Sequence, residues 1–270
     1  MTQSGTSHAR VLQTATPLRV FITGASSGLG WALTQHYAQQ GAMLGVFARR
    51  EAPLLELQTK FPQQIYIYQG DVTEPHTLQN AAQDFLEKAG TPDIVIANAG
   101  ISVGTLTQCE EDFAVFQRIM NVNLMGMVAT FQPFIEAMRQ QKSGRLVGIA
   151  SVAGVRGIPG AGAYSASKAA VISYLESLRV ELATSGVRVV TIAPGYIATP
   201  MTDVNPYSMP FILQADEAAR RMVRHIQAGR SYVVVPWQMG WVAKLLRILP
   251  NWLFDCFAAR AGRKPRGLKF

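Results

Sequence analysis

Residues 18–30 read LRVFITGASSGLG, and the fold is inferred outward from this stretch. The run LRVFIT (18–23) is apolar on both faces, which is typical of a strand buried in a parallel sheet. Glycines then follow in the spacing GxxxGxG, and a segment of helical period begins at Gly28. Such a strand-to-helix turn lets the backbone approach a pyrophosphate, whose charge is met by the N–H groups at the helix start. The turn predicts a nucleotide site formed by Gly24, Ser26, Ser27, Gly28, Leu29 and Gly30.

From this turn to residue 235, short apolar runs alternate with longer segments of helical period, and the chain has no internal repeat. This pattern predicts an α/β fold, with a Rossmann-like, doubly wound sheet of seven parallel strands flanked by helices. Strands are expected at 18–23, 43–48, 65–70, 93–97, 145–150, 187–193 and 231–235, and helices at 28–40, 51–60, 74–88, 110–139, 163–184 and 215–228.

The end of the second predicted strand bears on cofactor choice, because Arg49 and Arg50 follow Ala48. A site that prefers NAD usually has an acidic residue here for the ribose 2′-hydroxyl. Arg49 suits a 2′-phosphate instead, so we expect NADP(H); the alternative is a solvated pair of arginines before a helix. After the third strand, Asp71 and Val72 are expected to bracket the adenine ring, with a helix N-cap as the other role open to Asp71.

Three further residues form a candidate catalytic group. Tyr164 and Lys168 are four residues apart near the start of a predicted helix and therefore share a face. Ser151 lies thirteen residues before Tyr164, at the carboxyl end of a predicted strand, where sheets of this kind bind ligands. A neighbouring cation and a positive nicotinamide ring favour a phenolate, so we expect Lys168 to lower the pKa of Tyr164. Tyr164 would exchange a proton with a carbonyl oxygen that the Ser151 hydroxyl holds in place.

Taken together, these motifs resemble the short-chain dehydrogenase/reductase family over roughly Leu18 to Pro236. The resemblance implies the family's fold and a hydride transfer between NADP(H) and a carbonyl or secondary alcohol. It implies that Asn98 and Gly100, in the segment ANAG (97–100), support the sheet and the cofactor. Ala97 departs from the pattern, because many members carry a second Asn there.

The resemblance also completes the site. In NVNLMG (121–126) it implies that Asn123 is the catalytic Asn, with Asn121 as the fallback, and that it holds a water linking Lys168 to solvent. With Ser151 and Tyr164 these residues would form a tetrad. In the loop PGYIAT (194–199) the resemblance implies cofactor contacts from Pro194, Gly195, Ile197 and Thr199, with the last two near the nicotinamide carboxamide.

Composition limits the class of protein. With 270 residues, 49% of them hydrophobic and 16% charged, the chain is long enough for one large core and is unlike a disordered or collagen-like chain. Two cysteines exclude a disulfide framework and a cysteine-rich zinc site, so no metal is expected. Residues 1–17 read as a polar leader without a signal peptide, so we expect a cytoplasmic protein.

The net charge of +8 is concentrated at the end of the chain, where eleven Lys and Arg stand against Asp255 alone from Arg220 onwards. A nucleic-acid partner is not expected, because no binding module is recognisable; a solvated basic tail is the plainest alternative. Residues 237–270 are predicted as an amphipathic basic extension after the 18–236 domain. The extension would contact the inner face of an anionic membrane peripherally, or another subunit of a homodimer or homotetramer.

The substrate side is expected between residues 201 and 214, MTDVNPYSMPFILQ, where the resembling family places a mobile lid. Its apolar residues predict an apolar, lipid-like ketone or alcohol as substrate, although they could instead close the core or a subunit contact. We therefore expect an NADP(H)-dependent oxidoreductase. The alternative is a catalytically idle scaffold that senses a dinucleotide or binds a membrane.

Overall fold

The computed structural model describes residues 16–260 and 262–267, and most of the predicted leader lies outside this range. Its main sheet consists of parallel strands, each starting and ending within a residue or two of the predicted position. The confirmed strands are β1 (Arg19–Thr23), β2 (Met43–Ala48), β3 (Ile65–Gln69), β4 (Ile94–Ala97), β5 (Gly144–Ile149), β6 (Val187–Pro194) and the last strand, β9 (Tyr232–Val235).

The strand order in this sheet is β3-β2-β1-β4-β5-β6-β9. From β1 the chain moves outward to β3 and then returns to the other side of β1, where β4 begins. The order of the strands therefore reverses between β1 and β4, and their carboxyl ends diverge into a crevice. Ligands of doubly wound sheets bind in such a crevice, so the topology places the candidate site there.

Helices cover both faces of the sheet, as predicted. One face packs against α1 (Gly28–Gln39), α2 (Glu51–Lys60) and α8 (Ala215–Gln227), with Leu33, Leu57 and Met222 fully buried. The other face packs against α3 (Pro75–Ala89), α5 (Gly126–Gln141) and α6 (Gly162–Glu181), with Phe85 and Phe131 among the buried residues. Two apolar layers of this size hold the sheet rigidly, so its carboxyl edge is a fixed platform.

The predicted helix 110–139 is not continuous. It divides into α4 (Asp112–Met120), a π-helical turn (Asn121–Met125) and α5. A π-turn inserts an extra residue into the helix and is frequent at functional sites. Because the apolar period runs through both halves, periodicity alone indicates one helix and does not show the insertion.

Short elements frame the predicted lid. The strands β7 (Ile197–Ala198) and β8 (Leu213–Gln214) pair in parallel, and α7 (Pro200–Asp203) starts between them. The last two residues of the predicted lid (201–214) are therefore strand β8. The pairing joins the two ends of the segment 199–212, so the rest of the lid is a loop closed at its base.

The predicted extension forms two helices, α9 (Trp237–Ile248) and α10 (Asn251–Ala258). Within the residues that the structure describes, no helix is both long and apolar enough to span a membrane. After α10, residues 262–267 return to the body, where the N–H of Gly104 donates to the carbonyl of Pro265 at 2.9 Å.

Candidate active site

The glycine turn is formed by close backbone approaches that side chains would block. Gly24 and Gly28 have φ angles of 71° and 54°, in the left-handed region that favours glycine. A Cβ on Gly30 would overlap the Gly24 carbonyl oxygen and lie 2.5 Å from Asn98 Nδ2. The side chain of Ser27, the residue before α1, makes no capping hydrogen bond. The first amides of α1 are therefore not satisfied by this cap and suit an anion.

Asn98 ties the turn to β4. Its Nδ2 donates to the carbonyls of Thr23 and Gly24 at 3.1 and 3.2 Å, and its own N–H lies 3.3 Å from the Thr23 hydroxyl. Asn98 thus joins the ends of β1 and β4, the two strands at which the sheet reverses. The structure gives Asn98 the sheet-supporting place that the family resemblance implies.

The arginines after β2 reach two different parts of the site. Arg50 Nη2 donates to the carbonyl and hydroxyl oxygens of Ser26, at 3.2 and 3.1 Å. Arg49 instead lies 3.9 Å from a carboxylate oxygen of Asp71, which also pairs with Arg118 at 3.7 Å. Two cations therefore line the cavity, Arg50 beside the phosphate turn and Arg49 beside Asp71. The sequence predicts the phosphate role for Arg49 alone, because it directly follows the strand.

Asp71 has a structural task of its own. It is not the cap of α3, because that helix begins at Pro75 and is preceded by Glu74. Its Oδ1 accepts hydrogen bonds from the N–H and hydroxyl of Thr73. Partial burial alone would raise the pKa of Asp71, but these hydrogen bonds and the charges of Arg49 and Arg118 hold it below its ordinary value. A charged carboxylate therefore keeps Arg49 close to the cavity.

Ser151, Tyr164 and Lys168 meet at the carboxyl end of β5. The Ser151 hydroxyl accepts from the N–H of Ala153 at 3.1 Å and is hydrogen-bonded to Tyr164. Lys168 Nζ donates to the Ile149 carbonyl at 2.7 Å and lies 5.9 Å from the centre of the Tyr164 ring. The helical spacing of Tyr164 and Lys168 and the strand-end position of Ser151 thus produce one cluster.

The pKa shifts of this cluster follow from burial. Burial raises the pKa of Tyr164, and the hydrogen bond with Ser151 offsets only part of that rise. Burial also lowers the pKa of Lys168 to about 8. The expected lowering of the Tyr164 pKa combined Lys168 with a bound nicotinamide ring, so it stays a prediction for the complex. In the chain by itself, Tyr164 is a protonated phenol at neutral pH.

Asn123 lies in the π-helical turn, behind the cavity wall. Its Oδ1 accepts from the N–H of Ile101 at 2.8 Å, and its Nδ2 donates to the Ile101 carbonyl and the Ser167 hydroxyl, at 3.0 and 2.9 Å. Both amide hydrogens are thus used within the protein. The side chain joins α6 to the segment after β4, so any water held here would have to use the second lone pair of Oδ1 or the backbone. Asn121, the fallback, is exposed.

One cavity of about 440 Å³ connects these features. It is lined by all the predicted cofactor and catalytic residues except Asn123, including the loop residues Pro194, Gly195, Ile197 and Thr199. Thr199 lies against the phosphate turn, because a Cβ on Gly28 would contact its side chain at 3.0 Å. Two further lining residues, Met201 and Thr202, lie in the predicted lid. The sequence predicts no individual site role for the remaining lining residues, which are Phe47, Ala48, Arg50, Gly70, Ala99, Ile101, Val122, Ile149, Ala150 and Pro200.

The C-terminal segment 262–267 borders the lid side of the cavity. Lys264 is 8% exposed, and its Nζ donates to the carbonyl of Met201, a cavity residue, at 2.9 Å. Arg266 donates to Asp112 and Glu111, both at 2.7 Å. Burial lowers the pKa of Lys264 to about 8. No local pattern in the sequence indicates these contacts, because the residues that form them lie far apart in the chain.

Comparison with known proteins agrees with this geometry. The family model described as short chain dehydrogenase matches residues 19–207. This chain belongs to that family. The match spans the glycine turn, the Ser151–Tyr164–Lys168 cluster and the first part of the lid.

Relatives extend the similarity beyond the match. The short-chain dehydrogenase is 36% identical to an uncharacterized oxidoreductase of Myxococcus xanthus (strain DK1622), over 88% of this chain and 95% of the relative. It is 32% identical to 11-beta-hydroxysteroid dehydrogenase-like 2 of Arabidopsis thaliana, over 86% of this chain and 78% of the relative. The structure of ElxO with NADP bound has a TM-score of 0.72 at 22% identity, covering 81% of this chain and 97% of that chain, and shows the same fold.

Family membership makes the protein an oxidoreductase of the short-chain dehydrogenase type, which acts on CH–OH or C=O groups with NAD(P) as cofactor. The family resemblance predicted from the motifs is confirmed.

Proposed function

We propose that this protein is an NADP(H)-dependent carbonyl reductase or alcohol dehydrogenase that acts on an apolar, lipid-like ketone or secondary alcohol. The observation that carries the proposal is the shared cavity: the phosphate turn forms one end, and Ser151, Tyr164 and Lys168 form the wall beneath the lid. The idle-scaffold alternative is not favoured, because the relatives are oxidoreductases and the cluster is complete.

The cavity fits a dinucleotide. The glycine turn leaves room for a phosphate, and a side chain at Gly24 or Gly30 would take up that room. The start of α1, where Ser27 makes no capping hydrogen bond, borders the same cavity. Gly24 to Gly30 would hold the pyrophosphate, Asp71 and Val72 the adenine end, and the 194–199 loop the nicotinamide end. When bound, the nicotinamide supplies or accepts the hydride.

The preference for NADP(H) is supported by two cations that line the cavity, Arg49 and Arg50. Glu51, the acidic residue next to them in the chain, does not line the cavity, so it is not placed to bind a 2′-hydroxyl instead. Guanidinium groups suit a phosphate because their planar N–H donors match its oxygens. The NADP bound to ElxO, a protein of the same fold, agrees with this choice.

In the reducing direction, Tyr164 is the proton donor. Its raised pKa keeps Oη protonated at neutral pH, so the phenol can give its proton to the carbonyl oxygen as that oxygen gains electrons. Ser151 holds the same oxygen by a hydrogen bond. The charge left on the Tyr164 oxygen is stabilised by Lys168, whose ammonium is fixed by the Ile149 carbonyl. Solvent then returns a proton to Tyr164 Oη.

The apolar substrate class is supported by the lid. Met201, Val204, Phe211 and Ile212 are all exposed there, and Met201 also lines the cavity. Exposed apolar residues grouped in one segment often mark a ligand-binding surface. The name of the Arabidopsis relative, a hydroxysteroid dehydrogenase-like protein, points to the same chemistry.

The test is a carbonyl panel with the purified full chain, in which NADPH consumption is followed with long-chain ketones, a steroid ketone and short water-soluble ketones. We expect kcat/KM to be highest for the apolar members and higher with NADPH than with NADH. Equal rates for short and long ketones would contradict the substrate class. Failure to reduce any member, with binding of NADPH retained, would contradict the carbonyl-reductase assignment.

A further inference from the structure

The helix α9 is apolar on two opposite faces. Its inner face, with Met239 and Ala243 buried, packs against Val152, the residue after Ser151. A helix that is apolar all round normally lies inside a protein or a membrane. The outer face of α9 instead stands free of the rest of the described chain.

We define the α9 ridge as Trp237, Trp241, Leu245 and Ile248. At about 100° per residue, these four positions fall within an arc of about 80° on one side of the helix. Their exposed fractions are 66%, 67%, 57% and 76%. Scattered exposed apolar residues are ordinary, but four on one helix face form a continuous strip. In α10 the exposure continues with Trp252 and Phe257.

The composition of this region suits a lipid surface. Three of the four tryptophans in the chain are exposed on α9 and α10, and Trp is enriched where protein meets the headgroup level of a bilayer. The exposed cations Lys244, Arg247, Arg260 and Arg263 belong to the same region, in which Asp255 is the only acid between residues 237 and 267. The Lys244 ammonium lies 4.9 Å from the centre of the Trp241 ring, at the edge of the ridge.

We propose that the α9 ridge docks on the surface of an anionic phospholipid bilayer. Apolar side chains would enter the headgroup and acyl boundary while Lys244 and its neighbours meet lipid phosphates. The helices would lie in the plane of the membrane, since none described here can span it. This inference does not depend on the proposed reaction, because docking requires neither cofactor nor turnover.

A second copy of the chain is the competing occupant, and the charge of this region disfavours it. Two such surfaces facing each other would bring clusters of like charge together, whereas an anionic membrane complements them.

Docking would place the reaction at the membrane. Arg156, in the loop after β5, donates to the carbonyls of Leu246 and Leu249 and packs over the Phe254 ring at 4.0 Å. The loop that follows Ser151 is therefore fixed to both docking helices. An apolar substrate dissolved in the bilayer would reach a site whose wall is connected directly to the docking surface.

The experiment is co-sedimentation of the full-length protein with vesicles of phosphatidylcholine alone or mixed with phosphatidylglycerol. We expect strong binding to the mixed vesicles, weak binding to neutral ones and loss of binding at high salt. The ridge variant Trp241→Gln/Leu245→Gln/Ile248→Gln should lower the partition coefficient about a hundredfold. The matched control Phe113→Gln/Met125→Gln/Val180→Gln removes three exposed apolar residues elsewhere and should bind as the wild type does.

Two further readouts complete the test. Lys244→Gln should weaken binding to anionic vesicles about fivefold and leave binding to neutral vesicles unchanged. Circular dichroism of each variant shows whether it is folded, and light scattering without lipid gives its oligomeric state. Wild-type binding by a folded ridge variant would overturn the proposal. The proposal would also be overturned if the wild type formed an oligomer that does not bind vesicles and the ridge variant were monomeric. The ridge would then be a contact between subunits.

Discussion

The cofactor cleft and the C-terminal cover of this protein are held by different forces. Around the cleft, β1, α1 and β4 are fixed by apolar layers and by hydrogen bonds from Asn98 to the neighbouring turn. The cover is formed by the lid, α9, α10 and residues 262–267. It is attached by a small apolar cluster beneath α9 and by three long polar side chains, Arg156 of the body and Lys264 and Arg266 of the cover itself. The cleft is thus preorganised, whereas the cover depends on a few separate attachments.

This difference has a functional meaning. A phosphate turn must hold backbone amides in fixed directions, which requires a rigid support. A lid and a docking surface must admit an apolar substrate, and elements with few apolar anchors move more readily. We therefore expect changes in the cleft to abolish binding or chemistry, and changes in the cover to alter substrate access or stability slightly.

The largest effect is expected at the chemical centre of the cleft. Tyr164→Phe removes the proton donor, and kcat should fall about 10²- to 10⁴-fold while NADPH affinity changes little. Steady-state kinetics and a binding titration measure both quantities. The matched control is Tyr174→Phe, on the same helix but outside the cavity, which should retain near wild-type turnover. Comparable turnover in the two variants would remove Tyr164 from the chemistry.

A second test probes the rigidity of the cleft. The Cβ of Gly30→Ala would meet the Gly24 carbonyl and the Asn98 amide, so the turn must distort. The free energy of unfolding should fall by about 1–3 kcal/mol, and NADPH binding should weaken strongly. Gly157→Ala is the control, because a Cβ there meets nothing within 4 Å. Urea denaturation measures the free energy of unfolding of both variants. An equal, small decrease in the two would contradict close packing of the turn.

The third test separates the two arginines. Arg49→Gln and Arg50→Gln should each weaken NADPH binding about tenfold to a hundredfold, because a charged hydrogen bond to a phosphate is lost. NADH binding should change little in either variant. Arg139→Gln, in the last turn of α5, serves as a control for loss of surface charge. Calorimetry that shows equal losses for NADPH and NADH would contradict a 2′-phosphate site.

The smallest effect is expected in the cover, at Lys264. Burial lowers the pKa of its amine from 10.5 to about 8, so the unfolded chain holds more protons than the folded chain between those values. The folded protein therefore gains stability as pH rises through this window, and Lys264→Met should lack that gain. We expect a difference of about 1 kcal/mol between pH 7.5 and pH 9.5, after allowing for partial solvent access. Urea unfolding of the wild type and the variant at both pH values measures this difference. An equal change in unfolding free energy with pH in the two proteins would contradict the prediction.

The cleft could be predicted from sequence because its signals are local. The strands are continuous apolar runs, and the glycine turn lies between a strand and a helix that adjoin it. Tyr164 and Lys168 share a helix face by their spacing alone. For these residues, the periodicities of helices and strands fix the neighbours in space.

The remaining features depend on contacts that no local pattern records. The π-turn at Asn121–Met125 inserts one residue into an otherwise helical pattern, which is too local a change for periodicity to show. The attachments of Lys264 and Arg266 join residues more than sixty positions apart. The direction of the Tyr164 pKa shift depends on burial, which only the packed structure shows. The role of Arg50 could not be predicted, because its contact with Ser26 forms only when the turn is folded.

The central claim is that the cleft binds a nicotinamide dinucleotide through its phosphates, and calorimetric titration of the full-length protein with NADPH and NADH tests it most directly. We predict saturable binding of one NADPH per chain, at least about tenfold tighter than NADH because of the charged hydrogen bonds to the 2′-phosphate. Equal affinities would contradict the role of Arg49 and Arg50. Binding of neither nucleotide by the folded protein would contradict the claim itself.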